Sequence, residues 1–363
     1  MTWNWQQSDW PRWRYDLAAL ETLERRFLLD AGRLLGVWEH LASADRALVQ
    51  VELLSGEAVK TSEIEGELLD RASVQSSVRR QFGLQVDRRA GPAESGIAEL
   101  MVACFRDFGR SLSHETLFQW HRLVCRGRTD LHHLGAYRTH PEPMQVVSGP
   151  IYRPKVHFEA PPSAAVPEEM QAFLRWYETA RLPALGKAAL AQLHFVSIHP
   201  FEDGNGRLGR ALSEKVLAQA LEQPSLLALS RQIEKKRKGY YDALAANNRE
   251  MDVTDWVEWF AQTALEAQRY SMDWVEWVIA KTRLLDRLRE QMNARQRKVL
   301  LRLFEAGPEG FIGGLSAANY RAITGAPSAT ARRDLSDLVD KGALSRTGEK
   351  KGTRYWLTTG SRN

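Results

Sequence analysis

His199-Pro200-Phe201-Glu202-Asp203-Gly204-Asn205-Gly206-Arg207-Leu208-Gly209-Arg210 is the stretch on which the reading of this chain turns. Pro200 closes a helix that runs from Ala188 to Ile198, and Gly204-Asn205-Gly206 makes a turn. Arg207 then opens the next helix, with Leu208, Ala211, Leu212 and Leu217 as its apolar stripe. A helix N-terminus preceded by a glycine turn offers backbone N–H groups that suit a phosphate. The arginines add fixed positive charge, and Asp203 suits a divalent cation held against phosphate oxygens. His199 stands one loop away as a proton acceptor. These residue types read as a nucleotide-handling site with a base beside it.

On the N-terminal side, Trp3, Trp5, Trp10, Trp13 and Tyr15 crowd the first fifteen residues. Aromatics at that density are expected to be docked. A helical run follows from Leu17 to about Leu41, then a second through Val51-Glu52-Leu53-Leu54, with Gly66 as its stop. Ser113 is a good N-cap for the helix beginning at His114. Between Arg138 and Pro167 the spacing changes, and residues 144–152 predict a short hairpin around Ser148-Gly149-Pro150.

On the C-terminal side, a charged helix from Lys281 to Gln291 leads into helices over 296–306, 316–324 and 328–341. Leu344-Ser345-Arg346 and Arg354-Tyr355-Trp356-Leu357 then face each other across a basic turn, which is the plan of a winged helix-turn-helix. The domains expected are 1–95, 96–270, a linker helix over 271–292, and 293–363.

The chain has 363 residues and a formal charge of +5. From Asn293 onward there are 13 Lys and Arg against 6 Asp and Glu, a balance of +7, so the remainder carries −2. A basic tail of this kind suits nucleic acid or an acidic partner, or is simply a solvated surface. Cys104 and Cys125 have neither metal-ligand nor disulfide-framework spacing, so a reducing cytoplasm is the expected setting. No signal peptide and no membrane span is expected.

The opening stretch fits H-P-F-x-[D/E]-G-N-G-R-x-x-R without a departure, and in this the chain resembles the Fic family. The resemblance implies a mainly α fold: a helical core with a short β-hairpin flap, here between an N-terminal helical extension and the winged unit. It implies transfer of AMP from ATP onto a Ser, Thr or Tyr hydroxyl of a target protein. His199 would be the general base. Asp203 would hold Mg²⁺, with Mn²⁺ as a substitute. Gly204, Asn205 and Gly206 would cradle phosphates, with Leu208 and Gly209 in the same ATP-binding turn. Arg207 would hold the β-phosphate and Arg210 the γ-phosphate.

By the same resemblance, Val147, Ser148 and Gly149 belong to the flap that pairs with the target segment. Tyr240-Tyr241 and Asn248, at i and i+7 on a helix, would surround the adenine; core aromatics with a surface asparagine is the other reading. Thr61-Ser62-Glu63-Ile64-Glu65-Gly66 resembles the family's inhibitory motif [S/T]-x-x-x-E-[G/N]. Glu65 would then pair with Arg210 in competition with the γ-phosphate, or position water to remove AMP. The aromatic start looks like an extension often fused to such cores, expected to pack on the helix bearing Glu65. In the winged unit, Arg332, Arg333, Lys350, Lys351 and Arg354 are candidates for DNA phosphates, with homodimerisation or target docking as alternatives. A DNA-binding regulator with a nucleotide-sensing core, and an enzyme removing AMP, are the competing functions.

Overall fold

The computed structural model describes residues 2–86, 88–148 and 155–358. They form a mainly helical fold, as expected. The helices are α1 (Leu17–Glu39), α2 (Ser43–Ile64), α3 (Arg71–Gln81), α4 (Pro92–Arg106), α5 (His114–Val124), α6 (Val166–Thr179) and α7 (Ala184–Ile198). After these come α8 (Asn205–Leu221), α9 (Leu229–Lys235), α10 (Arg237–Ala246), α11 (Thr254–Arg287), α12 (Ala294–Phe304), α13 (Ala317–Thr324) and α14 (Ser328–Asp340). Two antiparallel hairpins complete the described residues: β1 (Gln145–Ser148) with β2 (Lys155–Glu159), and β3 (Leu344–Thr347) with β4 (Arg354–Leu357). Among the described residues no helix is long and apolar enough to cross a membrane.

Residues 2–36 and 50–271 make one compact unit, and residues 37–49 and 272–358 another. In the first unit α7 is the central helix. All of its residues except Lys187 and Val196 are buried, because Leu185, Leu190, Leu193, Phe195 and Ile198 leave it no polar face. It packs against α8, whose side is buried from Arg207 to Ala218. Ser113 caps α5 by accepting the Thr116 N–H, as its sequence position predicts.

The aromatic start is docked, and the ring contacts and side-chain bonds of its tryptophans run to β2, α6 and α7. Trp3 meets Phe158 of β2 edge-on at 5.4 Å, and Trp5 Nε1–H donates to the Glu159 carbonyl at 2.7 Å. Trp10 donates to Glu169 of α6 and, with Trp13, packs edge-on against the buried His194 of α7. Apolar edges with an N–H at one rim explain this choice: the rings fill the α6–α7 surface while the Trp5 and Trp10 donors find oxygens and the buried Trp13 N–H has no partner among the described residues.

The returning strand of the first hairpin also differs from expectation. It begins at Lys155, with Val147 opposite Val156 and a bulge between Val146 and Val147. Residues 149–154, including Gly149 and Pro150, lie outside the described residues. The linker helix expected over 271–292 is the end of α11, which is continuous because nothing from Thr254 to Arg287 is glycine or proline.

In the second unit α12, α13 and α14 close over Val299, Leu300, Leu303, Tyr320, Leu335 and Leu338. Buried Asp334 ties them together, accepting from Tyr320 Oη at 2.9 Å, Arg295 Nε at 2.9 Å and Asn293 Nδ2 at 3.2 Å. The β3–β4 hairpin follows, with Leu315 bridged to Tyr355 beside it.

Candidate active site

The loop from His199 to Gly204 joins the two buried helices α7 and α8. Gly204 is the N-cap of α8 at φ +81°, a left-handed conformation that its neighbour Val124 would also deny to any Cβ. Its N–H donates to Asp203 Oδ1 at 2.6 Å, and its carbonyl receives the first helical N–H, from Leu208, at 3.0 Å. The N–H groups of Asn205, Gly206 and Arg207 precede that bond and have no carbonyl within the helix. They are the open donors at which the sequence reading places a phosphate.

Asn205 has another use than the one expected. Its Oδ1 accepts the Phe201 N–H at 3.0 Å and its Nδ2 donates to the Phe201 carbonyl at 2.8 Å. The side chain therefore pins the loop instead of facing a phosphate. Leu208 is fully buried in the core, and a Cβ on Gly209 would lie 3.0 Å from Val196 Cγ1 of α7. Both side-chain positions pack against the core.

His199 is half-buried and closes α7 in a left-handed conformation. Its Nδ1 lies 3.2 Å from the Val196 carbonyl. A carbonyl only accepts, so Nδ1 carries the proton and Nε2 is left with its lone pair. Burial pushes the imidazole down to about 4, with Arg138 adding to the effect and Glu65 and Asp203 opposing it. The ring is thus neutral and basic at Nε2 at ordinary pH.

Arg207, Arg210 and Asp203 are each paired with an opposite charge. Arg210, 1% exposed, gives Nε to Thr61 Oγ1 at 2.8 Å and Nη2 to the Thr61 carbonyl at 2.8 Å. The same Nη2 is 2.8 Å from Glu65 Oε1. Burial disfavours its charge, but Glu65 and Tyr240 overcome this and hold the Arg210 pKa above its ordinary value. Gly66, at φ +85°, ends α2 and turns Glu65 back toward α8. The Glu65 carboxylate comes so close to Gly206 that a Cβ there would stand 2.2 Å from Oε1.

Three partners were not anticipated from sequence. Glu67 lies 2.6 Å from Arg207 Nη1, while Arg207 Nε is buried with no protein partner among the described residues. Arg128 pairs with Asp203, and Arg207 Nη2 is 3.5 Å from the same carboxylate. Burial works against ionisation of Asp203, yet Arg207, the Gly204 N–H and Arg128 hold its carboxyl below the usual range. His121, the third, stacks on Phe201 at 4.2 Å and accepts the Gly135 N–H at 2.9 Å, which braces the loop from behind. Glu67 sits two residues past Glu65, in the segment expected to reach Arg210, but no pattern in the sequence singled it out.

The adenine candidates separate. Tyr240 is buried, its hydroxyl 2.9 Å from Gln192 Nε2 and 3.5 Å from Arg210 Nη1, so it supports the arginine. Tyr241 is 38% exposed and donates to the Ile64 carbonyl at 3.0 Å. Asn248 is not on the helix, because α10 ends at Ala246; its Nδ2 donates to the His157 carbonyl of β2 at 3.3 Å. Val147 is half exposed on β1, and Ser148 ends that strand. In the second unit Arg332, Arg346, Lys350 and Arg354 line one cleft together with Asp340.

Asp203 is the loop carboxylate that the sequence reading assigns to a cation; its neighbour Glu202 accepts the His132 N–H and lies 2.7 Å from His133 Nδ1. Among the described residues no three His, Cys, Asp or Glu side chains gather into a metal cage. One carboxylate fits Mg²⁺ where phosphate oxygens and water supply the other ligands.

With this geometry in hand, the comparisons are specific. Residues 111–217 match the family described as Fic/DOC. They form a Fic/DOC family domain. Residues 3–84, which carry Glu65 and Glu67, match a domain of unknown function, DUF4172. The chain is 28% identical over 155 residues to the proteins named Protein adenylyltransferase Fic from Drosophila erecta and Drosophila melanogaster. The match takes in 38% of this chain but only 29% and 30% of theirs, so the chain spans under a third of those relatives. A Fic family protein from Desulfovibrio desulfuricans shares the fold over 97% of this chain and 99% of its own, with a TM-score of 0.53 at 22% identity. A Fic domain protein from Bacteroides thetaiotaomicron covers 67% of this chain and 96% of its own, at TM-score 0.51 and 18% identity.

Proposed function

We propose that this protein is a protein adenylyltransferase, held in an inhibited state by Glu65. The observation that carries the reading is the setting of His199: a free Nε2 beside a helix N-terminus whose two arginines are buried. An imidazole placed in this way takes the proton of an approaching Ser, Thr or Tyr hydroxyl as its oxygen bonds to the α-phosphorus. The bond to pyrophosphate breaks, and the open N–H groups of α8 with Arg207 and Arg210 hold the departing charge. The buried, unpartnered Nε of Arg207 is a donor waiting for such an oxygen. Asp203 would hold Mg²⁺, which supplies charge neutralisation between phosphates when bound.

Inhibition follows from the pairing of Arg210. A phosphate reaching this guanidinium must displace Glu65, and the pair is buried on the arginine side. The hairpin of β1 and β2, with Val146 and Val147 exposed, supports docking of an extended target segment at its edge. Incubation with labelled ATP tests the reading: Glu65→Gly should label itself or a target more than tenfold above the parent chain, and His199→Ala should not label. Absence of labelling by either parent or Glu65→Gly, with Mg²⁺ or Mn²⁺, would sink it.

A second reading concerns the C-terminal unit alone. Four cations lining one cleft beside α14 and the β3–β4 hairpin favour contact with nucleic acid phosphates. Duplex DNA binding that weakens steeply with salt, and is lost in Arg332→Ala with Arg346→Ala, would support it. No binding at low salt would dismiss it.

A further inference from the structure

A left-handed backbone is strained for a non-glycine residue, and His199 adopts it at φ 50°, ψ 58°. Something must hold it there. Arg138, a residue with no part in the proposed chemistry, does so from the loop that follows α5. Its Nε donates to the His199 carbonyl at 2.8 Å and its Nη2 reaches the Ile198 carbonyl at 3.4 Å. The Arg138 backbone N–H donates to the Pro200 carbonyl at 3.0 Å. Three consecutive carbonyls at the end of α7 are thus held by one residue.

The other edge of the same guanidinium holds the exit of the hairpin. Nη2 donates to the Pro161 carbonyl at 2.6 Å and Nη1 to Ser163 Oγ at 2.7 Å, just past β2. Ser163 passes the link on, donating to the His140 carbonyl at 2.7 Å on the approach to β1. Arg138 is 1% exposed, and every one of these acceptors is a neutral oxygen. A buried cation usually answers a carboxylate, and the desolvation it suffers here draws its own pKa down to about 10.

The geometry points to Arg138 as a positioning residue for His199: its guanidinium fixes the turn that presents Nε2 and ties that turn to the base of the β1–β2 hairpin. The inference rests on the transfer reading, in which His199 is the base. Two consequences separate it from ordinary packing. Loss of the clamp lets His199 relax toward a right-handed backbone, which moves Nε2 without touching the phosphate contacts of α8. Loss of the charge removes one of the influences that keep the imidazole neutral. The charged groups facing that ring are Arg138, which favours the neutral form, and Glu65 and Asp203, which favour the protonated one.

The test uses Arg138→Lys and Arg138→Gln in the full chain, with two readouts. NMR titration of the His199 imidazole needs no activity: in Arg138→Gln its midpoint should rise, and in Arg138→Lys it should stay near the parent value. In the Glu65→Gly background, Arg138→Lys should lower kcat for AMP transfer by about 10²-fold with KM for ATP unchanged. A purely structural role would lower the melting temperature and scale activity with the folded fraction, leaving the titration in place. Arg138→Lys with kcat within twofold of its parent overturns the clamp, whether or not Arg138→Gln folds. Should Glu65→Gly itself transfer no AMP, the transfer reading fails, while an unmoved titration in Arg138→Gln would separately overturn this one.

Discussion

The Glu67 carboxylate lies 2.6 Å from Arg207 across 140 positions of sequence, with Arg207 almost wholly enclosed and Glu67 about a third exposed. Together with Glu65 on Arg210, it leaves neither arginine of α8 free of a carboxylate. The two contacts differ in kind. Arg210 also donates to Thr61, whereas the buried Nε of Arg207 has no partner among the described residues.

We therefore predict that Glu67 sets nucleotide affinity and Glu65 sets turnover. Glu67→Gln should tighten binding of a non-hydrolysable ATP analogue by roughly 3–10-fold, the equivalent of about 1 kcal/mol expected of a half-exposed pair. Glu65→Gly should act mainly on kcat. Calorimetric titration of both variants decides this, and an unchanged affinity in Glu67→Gln would remove Glu67 from the competition.

Acid should destabilise the first unit early. Burial holds His121 and His199 down to about 4 and His194 to about 3, while an unfolded imidazole titrates near 6.5. A lowered histidine contributes stability that is complete above about 6.5 and lost as pH falls through the folded value. Thermal melts should therefore drop steadily from pH 6.5 to pH 4. His194, enclosed by Trp10, Trp13, Phe173 and Trp176, is the clearest probe. His194→Phe should flatten part of that slope, and a wild-type melting temperature that stays constant over this range would contradict the account.

Alkali should act through a carboxyl pair between α2 and α8. Glu57 and Glu214 are both buried, and Glu57 accepts the Ser230 N–H at 2.7 Å. Burial raises both, and for Glu214 the neighbouring Glu57 raises it further, so Glu214 keeps its proton. A raised carboxyl contributes stability that is present below its unfolded value, near 4.3, and is lost as pH rises through its folded one. Glu214→Gln keeps a donor toward Glu57 without a proton to lose. It should melt higher than the parent at pH 9, by about 2–4 °C for each kcal/mol recovered; a lower melting point there would count against a shared proton.

Asn205→Ala should damage the loop more than the phosphate site. It strips partners from the Phe201 N–H and carbonyl, and each buried backbone group left unpaired costs about 1–3 kcal/mol. The expected outcome is a lowered melting temperature together with a fall in kcat. An unchanged melting temperature with loss of ATP binding alone would restore Asn205 to the phosphates.

The site was legible in sequence wherever its parts are contiguous. His199, Asp203, Gly204 and Arg207 lie within nine residues, so one loop and one helix start bring them together. The Glu65–Arg210 contact was legible as well, but through resemblance to a known motif and not through any local physics. Glu67, Arg128 and Arg138 were not, because their partners are 140, 75 and 61 positions away and no periodicity encodes such a distance. Asn248 was misplaced because seven residues make two helical turns only if the helix lasts that long, and α10 ends two residues short. Of the fold, the helices with strong apolar spacing were plain, while the register of the hairpin was not: a turn centred on Ser148-Gly149-Pro150 does not foretell the pairing of Val147 with Val156.

Two-stranded hairpins are barely stable in water by themselves, and this one borrows its rigidity from residues far upstream. Trp3 rests edge-on against Phe158, and Trp5 is bonded to the Glu159 carbonyl. Trp3 and Trp5 thus serve as a mooring for a strand more than 150 positions away. On the transfer reading, a change at either ring is in effect a change to the edge along which a target segment would lie.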